Sequence, residues 1–196
     1  MFLWMTFSLL WGVCEGLWFF IVPDIILSFA CLKGWKTAVG STLAIIVGSI
    51  FAAIFLYLSM TMFPSWVDRW PALWASVPGY YPRMLEVASK HLQEGGAFGL
   101  LSGPSSGIPY RFYVFESFRQ DISLWSLLVW TPLARLQRLF LTPLVILPIN
   151  LILKKIETRY KWQPVWRQRG WIIVLLIYWT CTYIFYWGVF LPQHYQ

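Results

Sequence analysis

The chain has 196 residues, 59% of them hydrophobic and 20% aromatic, and only 12% carry a charge, where soluble proteins use roughly a quarter. That composition excludes a soluble domain and points to an all-α integral membrane protein with no nucleic-acid partner. The net charge of +7 is unevenly placed, because residues 154–169 hold Lys154, Lys155, Arg159, Lys161, Arg167 and Arg169 against Glu157, a local +5 that the positive-inside rule assigns to the cytoplasmic side.

Residues 1–32 form an apolar run broken by Cys-Glu-Gly at 14–16 and by Pro23-Asp24. Proline removes an amide donor and pushes the residue before it out of helical geometry, so two short arms meeting near Val22-Pro23-Asp24 are predicted. Such a re-entrant hairpin survives at membrane depth only where protein or a wet cavity covers its broken backbone. The run lacks a basic start and contains Glu15 and Asp24, so it is read as mature structure and not as a signal peptide. Residues 37–62, 26 without charge, cross the membrane. Gly40, Ser41, Ala44, Gly48, Ser49, Ala52 and Ala53 suit this helix to close packing.

Residues 63–96 carry four prolines, six aromatics and balanced charges, as befits an interfacial segment on the opposite side. Within it, 82–93 reads as an amphipathic helix, with Tyr81, Met84, Leu85, Ala88 and Leu92 on one face, a Glu86–Lys90 pair and a stop at Gly95-Gly96. His91 is read as an interfacial polar residue. A second broken hairpin follows in 97–121, its tip at Gly107-Ile108-Pro109. Residues 122–153 then cross back with kinks expected at Pro132, Pro143 and Pro148, 154–169 form a short solvated connector open to anionic lipid, and 170–196 cross a last time. Cys14, Cys31 and Cys181 read as buried thiols without disulfide or metal spacing.

An offset of 86 residues carries Val22-Pro23 onto Ile108-Pro109, Gly48-Ser49 onto Ala134-Arg135 and Ala52 onto Arg138. The expected fold is therefore two oppositely oriented re-entrant helical hairpins, each followed by a transmembrane helix (an inverted repeat), plus an amphipathic interfacial helix and a C-terminal transmembrane helix. In transporters of this build the site lies at the repeat interface.

Charges at membrane depth cost at least about 2.5 to 3.5 kcal/mol and are usually paired or line a cavity. Arg135 and Arg138 stand at i,i+3 on one helix face, with Thr131 and Thr142 extending the stripe. They could grip a phosphate bidentately or form internal ion pairs with Glu15 or Asp24, and both readings stay open. Arg111, at the second tip, faces Asp24 across the repeat. Glu15 and Asp24 are the acids able to carry a proton.

Ile108-Pro109-Tyr110-Arg111, Leu124-Trp125 and Ala134-Arg135-Leu136-Gln137-Arg138-Leu139-Phe140 resemble the Pro-aromatic-basic turn and the Gly-Arg-x-x-Arg-Phe helix of the DedA/VTT (SNARE-associated) superfamily, especially its short YqaA-like branch. Glu15 with Val22-Pro23-Asp24-Ile25 is similar to that family's first hairpin. The chain departs from the pattern where Gly would follow the first-tip proline, at Ala134, and at Phe115-Glu116-Ser117. The resemblance implies lipid movement across the cell inner membrane, with undecaprenyl phosphate recycling and proton dependence in bacterial members. The expected function is transport of a lipid phosphate, with Arg111, Arg135 and Arg138 as substrate-binding residues and Glu15 and Asp24 as proton-coupling residues. No cofactor or metal is implied, and homo-oligomerisation stays open. A passive scramblase or a small-ion exchanger is the nearest alternative. An assembly factor or a lipid-modifying enzyme is more remote, the latter because the chain has no His-Glu-x-x-His and no paired His–acid motif.

Overall fold

The computed structural model describes residues 2–160 and 164–195, and every regular element among them is helical. Trp35–Met62, Leu124–Tyr160 and Arg169–Tyr195 are each long and apolar enough to cross a membrane. The outward face of the first is a stripe of exposed Val39, Leu43, Val47, Phe51 and Phe55. A continuous exposed apolar face of this kind is stable in lipid and not in water, and the chain is a helical membrane protein.

Helix α1 (Phe2–Leu17) lies along the first half of α3 (Trp35–Met62). A Cβ on Gly12 would stand 2.5 Å from the Ile45 carbonyl oxygen, one on Gly48 2.3 Å from that of Leu9, and one on Gly16 2.5 Å from the Ala52 Cβ. Contacts that rise in number together on both helices mean that α1 and α3 run parallel. The intervening α2 (Asp24–Leu32) therefore runs antiparallel to both, beside the α1–α3 pair. The expected break at Cys-Glu-Gly is not there: α1 continues to Leu17, and Gly16 serves close approach to α3. The chain turns instead at 18–23, with Pro23 directly before α2. The α2 carboxyl end is held by Asn150, whose Nδ2 donates to the Leu32 carbonyl at 3.3 Å.

After α4 (Trp66–Ala75), helix α5 (Pro82–Gly95) buries Met84, Ala88 and Leu92, with Tyr81 and Leu85 packed beside them. It ends at Gly96, whose φ of 55° only glycine adopts without strain. Lys90 pairs with Glu94 at 3.8 Å and not with Glu86, and His91 turns inward, its Nδ1 2.8 Å from the Tyr113 hydroxyl. A 3-10 segment (Gly96–Ser102) and the single turn α6 (Gly103–Ser106) lead to the second tip. There Gly107 has φ 73° and Pro109 precedes α7 (Tyr110–Arg119).

The predicted crossing at 122–153 is two helices, α8 (Leu124–Leu139) and α9 (Leu141–Tyr160), separated at Phe140. The separation falls four residues before Leu144 and just where Pro143 withholds a donor from the Leu139 carbonyl and crowds it with its ring. Pro132 and Pro148 lie inside their helices. The expected solvated connector is in large part helix, since α9 runs on through Lys154, Lys155 and Arg159. Long basic side chains are good helix formers and suit a helix carboxyl end. Residues 161–163 lie outside the described residues. Helix α10 (Pro164–Phe185), a π-helical turn (Tyr186–Phe190) and α11 (Leu191–Tyr195) complete the chain. Arg167 joins α10 to α9 through Glu157 and, at 2.9 Å, through Asn150 Oδ1. Of the cysteines only Cys31 is buried; Cys14 and Cys181 are exposed on outward apolar faces.

The packing of α1 on α3 gives a direct prediction. Gly48→Ala should cost about 1–3 kcal/mol through overpacking, while Gly188→Ala, where a Cβ meets nothing within 4 Å, should be neutral or slightly stabilising; unfolding in mixed micelles distinguishes the two.

Candidate functional site: a buried ion-pair cluster

Both chain tips and the α8–α9 junction converge on one group of charges. Thr131, Arg135, Arg138 and Thr142 stand at spacings of four, three and four residues, so they share one helical face that persists across the break at Phe140. Three other helices engage them. Thr131 donates to the Leu127 carbonyl at 2.9 Å and so accepts from the Tyr110 hydroxyl, 2.6 Å away at the start of α7. Arg135 pairs with Glu15 of α1, Nη2 to Oε2 at 2.5 Å and Nη1 to Oε1 at 3.4 Å, with both side chains 4% exposed. Arg138 Nε donates to Asp24 Oδ2 at 3.2 Å, and Thr142 donates to Asp24 Oδ1 at 2.9 Å.

Arg111 does not pair with Asp24 as the repeat suggested. Its Nη1 donates to the carbonyls of Phe19 at 3.1 Å and Glu15 at 3.4 Å. These oxygens belong to the carboxyl end of α1 and the turn after it, where backbone acceptors have no helical donor and the helix dipole is negative. Asp24 is drawn to Arg138 instead, and its place in the first turn of α2 puts its charge at a positive helix end. All five sequence-predicted residues are thus brought together, as ion pairs and caps. Two donors stay unused: Arg111 Nε and Arg135 Nε are buried without a hydrogen-bond partner.

Three guanidinium groups against two carboxylates leave the cluster with one surplus positive charge. Arg138 is where that surplus meets open space, its side chain 27% exposed. It borders a cavity of about 440 Å³ together with Asp24, Thr142, Tyr183 and Tyr186. Arg135 and Arg111 reach only voids of about 20 and 30 Å³, room for a water and no more. Apolar grooves flank the cavity on both sides of α10. One, about 700 Å³, runs past Ile21, Ile25 and Phe29 of the first turn and α2. The other, about 350 Å³, runs past Val145 and Ile149 of α9. Trp179 lines all three spaces.

Sequence reasoning missed the contribution of α10. Tyr183 accepts the Val22 N–H at 2.7 Å, Tyr186 donates to the Gly107 carbonyl at 2.7 Å, and Tyr195 donates to the Ser106 carbonyl at 2.5 Å. The last helical segment therefore grips the tips of both broken stretches. The available signal was the four- and three-residue spacing of Trp179, Tyr183 and Tyr186, which puts hydrogen-bonding aromatics on one helical face.

Gly103-Pro104-Ser105-Ser106-Gly107 also spells the Gly-x-Ser-x-Gly of serine hydrolases. In those enzymes the serine sits between a strand and a helix with a histidine in reach. Here the string forms α6 and its turn, Ser105 Oγ donates to the Ser102 carbonyl at 3.0 Å, and His91 is committed to Tyr113.

The Glu15–Arg135 pair should behave as a unit. Glu15→Gln or Arg135→Met alone leaves a buried charge uncompensated and should cost about 3–5 kcal/mol. The double variant should cost clearly less than the sum of the two, a coupling that a double-mutant cycle in mixed micelles reads directly.

No family model, curated protein or solved structure matches the chain, so its function is argued from the chemistry of this cluster.

Proposed function

We propose that the protein is a transporter of a lipid phosphate, with the fold of the DedA/VTT superfamily that its tips and arginine helix resemble. In this reading α1 and α2 form one re-entrant hairpin and the 3-10 segment, α6 and α7 the other, entered from opposite faces of the cell inner membrane with residues 154–169 cytoplasmic. The observation that carries the reading is the surplus positive charge presented by Arg138 to a cavity flanked by apolar grooves. A lipid phosphate has the complementary shape, an anion attached to hydrocarbon, and the cavity lies beside helices whose outer faces are built for lipid.

The sequence of events follows from the bonds present. Arg138 holds Asp24 through Nε alone, and among the described residues its two terminal nitrogens have no acceptor. An entering phosphate takes those donors, competes with Asp24 for the guanidinium and loosens the link between α2 and α8. Asp24 then carries a proton in place of the ion pair, which couples movement of the anion to movement of a proton. Glu15, Arg135 and Arg111 hold the two turns in register during the exchange, so their role is positioning, while Arg138 touches the headgroup.

The test is headgroup movement in proteoliposomes. Arg138→Gln should slow flipping of a fluorescent phosphatidic acid by roughly tenfold or more, the worth of a charge-assisted pair. Flipping unchanged in the Arg135→Ala plus Arg138→Ala variant overturns the reading. An imposed pH gradient should drive net accumulation on one side; equal distribution under the gradient identifies a passive scramblase instead.

A further inference from the structure

We infer that Tyr183, on the carboxy-terminal helix, is the second headgroup donor of the cavity, placed opposite the terminal nitrogens of Arg138 to complete an oxyanion site. The inference rests on the reading of that cavity as an anion site and assigns a residue outside both broken stretches.

Several hydroxyl groups line the cavity, and most have spent their proton on protein acceptors. Thr142 donates to Asp24 Oδ1, Thr182 to the Tyr178 carbonyl, Tyr186 to the Gly107 carbonyl and Ser105 to the Ser102 carbonyl. Tyr178 also lines the cavity, but its side chain is more than half exposed and, among the described residues, no backbone bond fixes its hydroxyl there. Tyr183 differs in kind, because the bond it makes is one it accepts: the Val22 N–H points at its oxygen at 2.7 Å. A phenol that accepts from a backbone amide keeps its own O–H to give. The ring is half-buried and packed against Trp187, with centroids 4.7 Å apart, so the oxygen is held at the cavity wall at little entropic cost.

Position agrees with this role. Tyr183 and Arg138 line the same cavity, as does Asp24, which Arg138 holds through Nε. An oxyanion there receives N–H donors from α8 and one O–H from α10. Because Val22 immediately precedes Pro23, the same phenol is bonded to the first turn. Binding at Tyr183 is thereby transmitted to the backbone that α2 pivots on.

The experiment measures binding of two probes, inorganic phosphate and dioctanoyl phosphatidic acid, to purified protein in detergent. Tyr183→Phe should weaken phosphatidic acid by roughly tenfold, as loss of a hydrogen bond to a charged group does. Tyr186→Phe is the control: it removes a hydroxyl from the same cavity, but one already committed to Gly107, and should lower thermal stability while leaving affinity within about twofold. Inorganic phosphate should show the same order of variants with weaker binding if the oxyanion alone is read. Equal affinity of Tyr183→Phe and the native protein for phosphatidic acid overturns the inference while the cavity's reading stands. Absence of binding by the native protein overturns both. Should Tyr183→Phe fail to fold, 3-fluorotyrosine at position 183 keeps the fold and strengthens the donor. Tighter binding then supports the assignment, and unchanged binding overturns it.

Discussion

The arrangement depends on the ion pair between Glu15 and Arg135, which joins residues 120 apart in sequence at almost complete burial. Neither group could be placed at that depth alone, since an uncompensated charge there costs several kcal/mol. Once they are paired, the end of α1 is fixed against α8 and the carbonyls after Glu15 fall within reach of Arg111. The second tip is then tied to the first, although neither tip has enough regular hydrogen bonding to hold its own shape. The pair is better understood as the fixed point around which two irregular segments are positioned than as a source of net stability, because a buried pair seldom exceeds an apolar replacement in stability.

Positions related by the offset of 86 residues lie on helix faces that are used for opposite purposes. On α3, Ser49 is fully buried and bonds its own helix at the Ile45 carbonyl, and Ala52 faces Gly16 so closely that no Cβ fits between them. That face is spent on admitting α1. The matching positions on α8 are Arg135 and Arg138, and the segment against them is a 3-10 stretch and a single helical turn, shorter and more loosely fitted than α1. Small residues let the backbones of α1 and α3 approach, whereas Arg135 is spent on the pair with Glu15 and Arg138 stands at the cavity wall.

Much of this was legible in the sequence for simple reasons. The spanning helices declare themselves by length and lack of charge, the tips by Pro23, Gly107 and Pro109, and the amphipathic α5 by the spacing of Met84, Ala88 and Leu92. Glu15, Asp24, Arg111, Arg135 and Arg138 stand out because charge is rare in such a chain. Pairing of Arg135 and Arg138 with Glu15 or Asp24 was one of two open readings, and which arginine takes which acid could not be read. Pairing Asp24 with Arg111 follows from matching the tips, but Arg111 is captured by carbonyl groups that every helix end exposes and that no side-chain pattern advertises. Gly16 was mistaken for a break because glycine has two uses, freedom of backbone and absence of bulk, and the sequence alone does not say which applies. The helical continuation past Leu153 was hidden in the same way, since a basic run suits both a solvated loop and a helix end.

The role of α10 was hidden for a different reason. Beyond Arg169 its ring-borne polar groups are phenols and indoles, which hydropathy treats as part of an apolar span, yet each carries a hydrogen-bonding atom on a rigid ring. In a lipid-facing helix such groups satisfy backbone atoms at breaks in neighbouring segments without the cost of burying a charge. Tyr183 at the Val22 amide and Tyr186 at the Gly107 carbonyl complement one donor and one acceptor left open by the two turns. Because these bonds bind neutral groups, they can be exchanged at lower cost than the fully buried Glu15–Arg135 pair beneath them. The division of labour follows: charges on α1, α2 and α8 set where the turns meet, and the phenols of the carboxy-terminal segment bond the backbone groups that the turns leave open.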